Sequence, residues 1–75
     1  MTRPIVLVDR DRLEELMAGL CLDNSELGNR SGVHRITIGG IRRGDYQPSR
    51  AMIRKIAAAL GVEPPEITRV ETMAS

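Results

Sequence analysis

Apolar residues recur along this chain with two different spacings. Ile5-Val6-Leu7-Val8 is a continuous, largely β-branched apolar run, which reads as a short strand. Leu13, Leu16, Met17 and Leu20 then fall at i, i+3, i+4 and i+7, one stripe of an amphipathic helix. Ile53, Ile56, Ala57 and Leu60 form a second such stripe, closed by Gly61. Between them the apolar positions come in pairs that bracket a capping residue. Val8 and Leu13 flank Asp9, Leu22 and Leu27 flank Asp23, and Val33 and Ile38 flank His34. That offset lets the residue before a cap touch one in the first turn after it. It predicts three helix starts, at about residues 10, 24 and 35. Gly32 and Gly44 are placed to end the second and third helices, and Ser49 to cap a fourth. Pro64 and Pro65 suit the first turn of a short fifth helix around Glu66 and Ile67. Thr68 to Thr72 is β-branched again and predicts a second strand, whose one obvious partner is the first.

Composition narrows what such a chain can do. Its 75 residues allow one domain, taken here as 1–75 with strands at about 5–8 and 68–72. With one Tyr and no Phe or Trp, the core must come from Leu, Ile, Val, Met and Ala, and Leu16, Leu20 and Ile53 are expected in it. A lidded catalytic cleft does not fit so small a helical unit. The lone Cys21 cannot close an internal disulfide and is expected half-buried at a helix end. Ile5 to Val8 is too short for a signal peptide, and no stretch could cross a membrane, so a reducing cytoplasm is the default expectation.

The net charge of +1 hides a strong asymmetry. Residues 30–55 carry six Arg and one Lys against Asp45 alone, a balance of +6, while residues 1–29 and 56–75 stand at −3 and −2. A basic middle between acidic flanks suggests a face for a polyanion. Solvated surface charge is the plainer reading, and the clustering makes it the weaker one.

Two short helices at about 24–31 and 35–42, joined by a tight turn through Gly32-Val33, make a helix-turn-helix arrangement. The run from Leu13 to Ile67 resembles the lambda-repressor-like helix-turn-helix family, the Cro/cI type. The landmarks are Leu13-x-x-Leu16, Leu22-Asp23-Asn24-Ser25-Glu26-Leu27-Gly28, Ser31-Gly32-Val33, Thr37-Ile38-x-x-Ile41-x-Arg43-Gly44, Pro48-Ser49 and Lys55-Ile56-Ala57-x-Ala59-Leu60-Gly61-Val62. The chain is also similar to a branch of that family in which a strand before helix 1 pairs with one after helix 5.

The resemblance implies an all-α domain of five helices with a small terminal sheet, and a sequence-specific double-stranded DNA-binding regulator of the phage or mobile-element repressor kind. It implies a homodimer on a pseudo-palindromic operator, with half-sites about one helical turn apart or a multiple of that. By position, Arg35, Ile36 and Gly40 would face base edges. Asn24, His34, Thr37, Arg43, Tyr46 and Arg50 would meet backbone phosphates. Ile36 can touch a thymine methyl and makes no hydrogen bond. Gly40 stands where the family often has a third reading side chain.

Adjacent glycines within a helix are costly, about 1 kcal/mol each relative to alanine. Close approach of the recognition helix to DNA is the preferred reason for Gly40, with local fraying as the alternative. Gly39 is expected to face helix 2 or solvent. No cofactor, metal or small-molecule substrate is expected, since His34 is the only His and no acidic or thiol cluster accompanies it. Arg43-Gly44-Asp45 spells an adhesion tripeptide but is better explained as a helix end, a stop and a turn. Two rival readings use the same fold: an antitoxin-like module that holds a protein partner, and a scaffold that has lost DNA binding.

Overall fold

Capping chemistry sets most of the element boundaries. In a computed structural model that describes residues 2–74, with side chains placed for 5–71, strand β1 spans Thr2–Val8 and helix α1 comes next at Arg10–Gly19. The Asp9 side chain accepts from the Arg12 N–H at 3.1 Å to start α1. Helix α2 is Asn24–Ser31, capped by Asp23, whose Oδ1 accepts from the Glu26 N–H at 2.8 Å. Helix α3 is Arg35–Arg43, and α4 is Arg50–Leu60 behind its cap Ser49. All three helix starts predicted from the apolar pairs are observed. Gly32, Gly44 and Gly61 end α2, α3 and α4 with φ of +76°, +84° and +73°, a left-handed conformation that favours glycine.

The predicted fifth helix is instead one 3₁₀ turn, Pro64–Ile67, so the described residues form four α-helices. Pro64 and Pro65 have no N–H to give a helical ladder. The Glu66 N–H closes an i→i+3 bond on the Glu63 carbonyl at 2.9 Å, and Thr68 is already extended. Strand β2 then runs Thr68–Ala74 and pairs antiparallel with β1, with Val6 opposite Val70 and Val8 opposite Thr68. Both strands are longer than their predicted 5–8 and 68–72. The first continues through Pro4, which lies opposite Thr72. A two-stranded ribbon consists only of edges, where a proline can turn its missing donor outward.

Leu13, Met17, Leu27, Ile38, Ile41, Ile56 and Ile67 are almost completely enclosed, and Val8, Leu22, Val33, Ile53, Ala57 and Leu60 join them in one core. Both members of each capping pair are therefore buried. Leu20, expected in the core, is 46% exposed. Helix α1 stops at Gly19, Leu20 leaves the helical path, and Cys21 turns the chain at φ +55°. Leu22 is buried in its place, its N–H bonded to the Met17 carbonyl at 2.9 Å. Cys21 itself is exposed, not half-buried, because it forms the outside of that turn.

Candidate nucleic-acid interface

The α2–α3 turn is tight because three small residues let it be. Ser31 Oγ donates to the Leu27 carbonyl at 2.7 Å and accepts from the Val33 N–H at 3.2 Å. Gly32 reverses the chain. Gly28 lets the returning strand pass close by: a Cβ on Gly28 would lie 2.7 Å from the Val33 carbonyl oxygen and 3.3 Å from the Arg35 nitrogen.

Helix α3 opens with His34 as cap, its Nδ1 accepting from the Ile36 N–H at 3.1 Å. Arg35 and Ile36 project from the first turn, Ile36 being 69% exposed, and Thr37 is half-buried. Ile38, Gly39, Gly40 and Ile41 are buried. The helix thus presents its first turn outward and holds its second turn against the body of the protein.

An open cleft of about 500 Å³ lies between the start of α2 and this first turn, lined by residues including Asn24, Ser25, Arg35, Ile36, Gly39 and Arg43. Gly39 forms part of its floor. A Cβ there would stand 3.3 Å from both Asn24 Nδ2 and Arg43 Nη1, so the bare Cα leaves room beside an amide and a guanidinium. Gly39 therefore faces α2, one of the two directions expected of it. Gly40 is buried, and a Cβ on it would meet the Tyr46 Cβ at 3.5 Å, an ordinary packing distance. The position expected to face the groove thus sits under Tyr46.

Arg42 is tied inward. Its Nε and Nη2 donate to the two carboxylate oxygens of Glu14 on α1, each at 2.6 Å, and its Nη1 donates to Asn24 Oδ1 at 2.7 Å. This charge-assisted fork joins α1, α2 and α3. The hydrogen bonds from Arg42 hold the Glu14 carboxyl below its ordinary value, against the opposing pull of burial, and the Arg42 guanidinium is raised in turn. With its carbonyl oxygen accepting from Arg42, Asn24 turns its amide nitrogen toward Gly39 on the cleft floor. Sequence reasoning counted Arg42 in the basic cluster and missed this brace. Glu14 and Arg42 lie 28 residues apart, and neither carries a local signal of the other.

At the end of α3, Arg43 Nε pairs with Asp45 Oδ2 at 3.0 Å, both side chains well exposed. Tyr46 is 46% exposed, and Arg50 is exposed at the first position of α4. Gln47 Oε1 accepts from the Val8 N–H at 3.1 Å and fastens the α3–α4 loop to β1. Asn24, Arg35, Ile36 and Arg43 thus border one cleft, with His34 at its α3 cap, while Tyr46 and Arg50 lie on the α3–α4 side. Among the described residues no group of three His, Cys, Asp or Glu is placed to hold a metal, and no helix is long and apolar enough to cross a membrane.

Residues 13–67 match the model of the helix-turn-helix family. The crystal structure of the restriction-modification controller protein C.AhdI from Aeromonas hydrophila superimposes with a TM-score of 0.73 at 38% identity, over 76% of this chain and 86% of that one. None of the curated proteins compared with the chain matches it.

Proposed function

Since the chain belongs to the helix-turn-helix family and is a DNA-binding transcription regulator, we propose that it recognises a specific double-stranded operator as a homodimer. In this reading Arg35 and Ile36 enter the major groove from the first turn of α3. The amide of Asn24, the ring of His34, Thr37, Arg43, Tyr46 and Arg50 hold the flanking phosphates. The carrying observation is the open cleft in which Asn24, Arg35, Ile36 and Arg43 converge on the bare Gly39. A single small recognition helix buries little surface for tight specific binding, which favours two copies on a pseudo-palindrome. The likeness to a restriction-modification controller favours a regulator of that type over one of the phage Cro kind.

Selection of bound duplexes from a random pool tests this directly. A symmetric consensus is expected, and a complex of two chains per duplex by analytical ultracentrifugation. Arg35→Ala should relax preference at one base pair of each half-site, at a cost of roughly 1–3 kcal/mol. Arg43→Ala should weaken all sequences about equally and lower the salt dependence by about one ion per subunit. A pool that returns no consensus would overturn specific recognition and leave the protein-partner reading of the fold.

A further inference from the structure

Arg10 and Arg69 sit at opposite ends of the chain, yet the fold brings them together against the α3–α4 loop. A shallow cavity of about 170 Å³ is lined by both arginines with Leu7, Val8, Ile41, Gly44, Tyr46 and Gln47. Both arginines lie outside the 13–67 segment that matches the family. The Arg10 guanidinium lies directly over Gly44: a Cβ at that position would fall 2.5 Å from Arg10 Nη1 and 3.0 Å from its Cζ. Any side chain at 44 would displace it. Gly44 is the stop of α3, next to Arg43 and two residues before Tyr46, so the guanidinium lies beside groups proposed to grip the phosphate strand.

From these positions we infer that Arg10, at the head of α1, and Arg69, on β2, form an outer contact for the DNA phosphate backbone beyond the helix-turn-helix unit. The inference rests on the DNA-binding reading above. Three acids are close by, and one of them, Glu71, is ion-paired. Asp9 accepts from the Arg12 N–H, and Glu71 pairs with Arg69 at 3.4 Å. Asp11 also lies beside the two arginines. Arg10 makes no ion pair or hydrogen bond among the described residues, so its donors remain open to a phosphodiester. The Arg69–Glu71 pair is exposed, weak and exchangeable. The Val8–Gln47 hydrogen bond holds ribbon and loop in one frame, so the outer contact and the Arg43 and Tyr46 contacts move together.

The test is the salt dependence of affinity for the selected consensus duplex, read by fluorescence anisotropy over a series of KCl concentrations. Arg10→Gln and Arg69→Gln should each weaken binding several-fold, lower the slope by about one ion per subunit and leave the base preference unchanged. Arg10→Lys should keep most of the slope. Arg12→Gln, which removes the same charge elsewhere on α1, should leave the slope at the wild-type value. Thermal melting of each variant reports its fold. Binding by wild type together with an unchanged slope in Arg10→Gln and Arg69→Gln overturns the outer contact alone, and a lowered melting temperature with that unchanged slope assigns Arg10 to packing on Gly44. A slope lowered equally by Arg12→Gln overturns it as well, since net charge would then suffice. If wild type binds no duplex, the outer contact and the DNA-binding reading fall together.

Discussion

Gly39→Ala separates stability from DNA binding at one atom. Gly39 sits mid-helix in α3 with an ordinary right-handed conformation, so alanine there gains about 1 kcal/mol of helix propensity. Against this stand two 3.3 Å approaches, to Arg43 Nη1 and Asn24 Nδ2. Both are the ends of side chains, and they differ in freedom. Arg43 is 65% exposed, and its Asp45 ion pair is of the surface kind, worth under about 1 kcal/mol, so it can swing aside. Asn24 is held at 2.7 Å by Arg42 and yields less. The expected net is a gain of about 0.5 kcal/mol, or roughly 2–4 °C in melting temperature for a domain of this size. Affinity for the selected duplex should nevertheless fall, because the methyl occupies the floor between the two proposed phosphate donors. In a double-mutant cycle with Arg43→Ala the affinity losses should be less than additive, since both act on one phosphate. A lowered melting temperature would show that the cleft walls are rigid. Unchanged affinity would show that the backbone does not pass over Gly39, and the reasoning would fail.

Gly28→Ala should behave oppositely to Gly39→Ala. Its Cβ would meet the Val33 carbonyl at 2.7 Å, which is backbone and cannot rotate away, so a loss of roughly 1–3 kcal/mol in urea denaturation is expected despite better helix propensity. The Glu14–Arg42 pair should make stability fall in acid. Glu14 is held below its ordinary value of 4.5, so its contribution is complete above about that pH and is lost as pH drops through the lowered value. With Glu14 46% exposed the loss should stay under about 1 kcal/mol, and Glu14→Gln should remove it; equal acid sensitivity in the variant would refute the assignment.

Most of the fold legible in the sequence is fixed by neighbours five residues apart or fewer; the β1–β2 pairing is the exception, legible because each β-branched run had one evident partner to offer. Asp9, Asp23, His34 and Ser49 each accept a backbone N–H at a helix head, and each cap can be read from its own few residues. The apolar pairs around the first three were legible for the same reason. Leu20 shows where periodicity misleads, because the stripe continues in the sequence after the helix has ended at Gly19. Pro64 and Pro65 do open a helical turn, but a 3₁₀ turn and not an α-helix. Thr68, already extended and paired with Val8, leaves space for one turn only between the prolines and β2.

Charge was the feature least faithfully read along the chain. The +6 balance of residues 30–55 includes Arg42, whose fork faces Glu14 and Asn24 and braces the three-helix junction. The acidic first third includes Arg10, which the ribbon and α1 bring to the basic side over Gly44. A sum over a segment counts both wrongly, because it assigns charge by position in sequence, while a polyanion meets charge by position on the surface. The basic face therefore loses Arg42 at the α1–α2–α3 junction and gains Arg10 and Arg69 beside the α3–α4 loop, which shifts its location. The DNA contacts of this chain should therefore extend toward the ribbon rather than toward α1's acidic face, where Glu14 and Glu15 are already paired with Arg42 and Arg12.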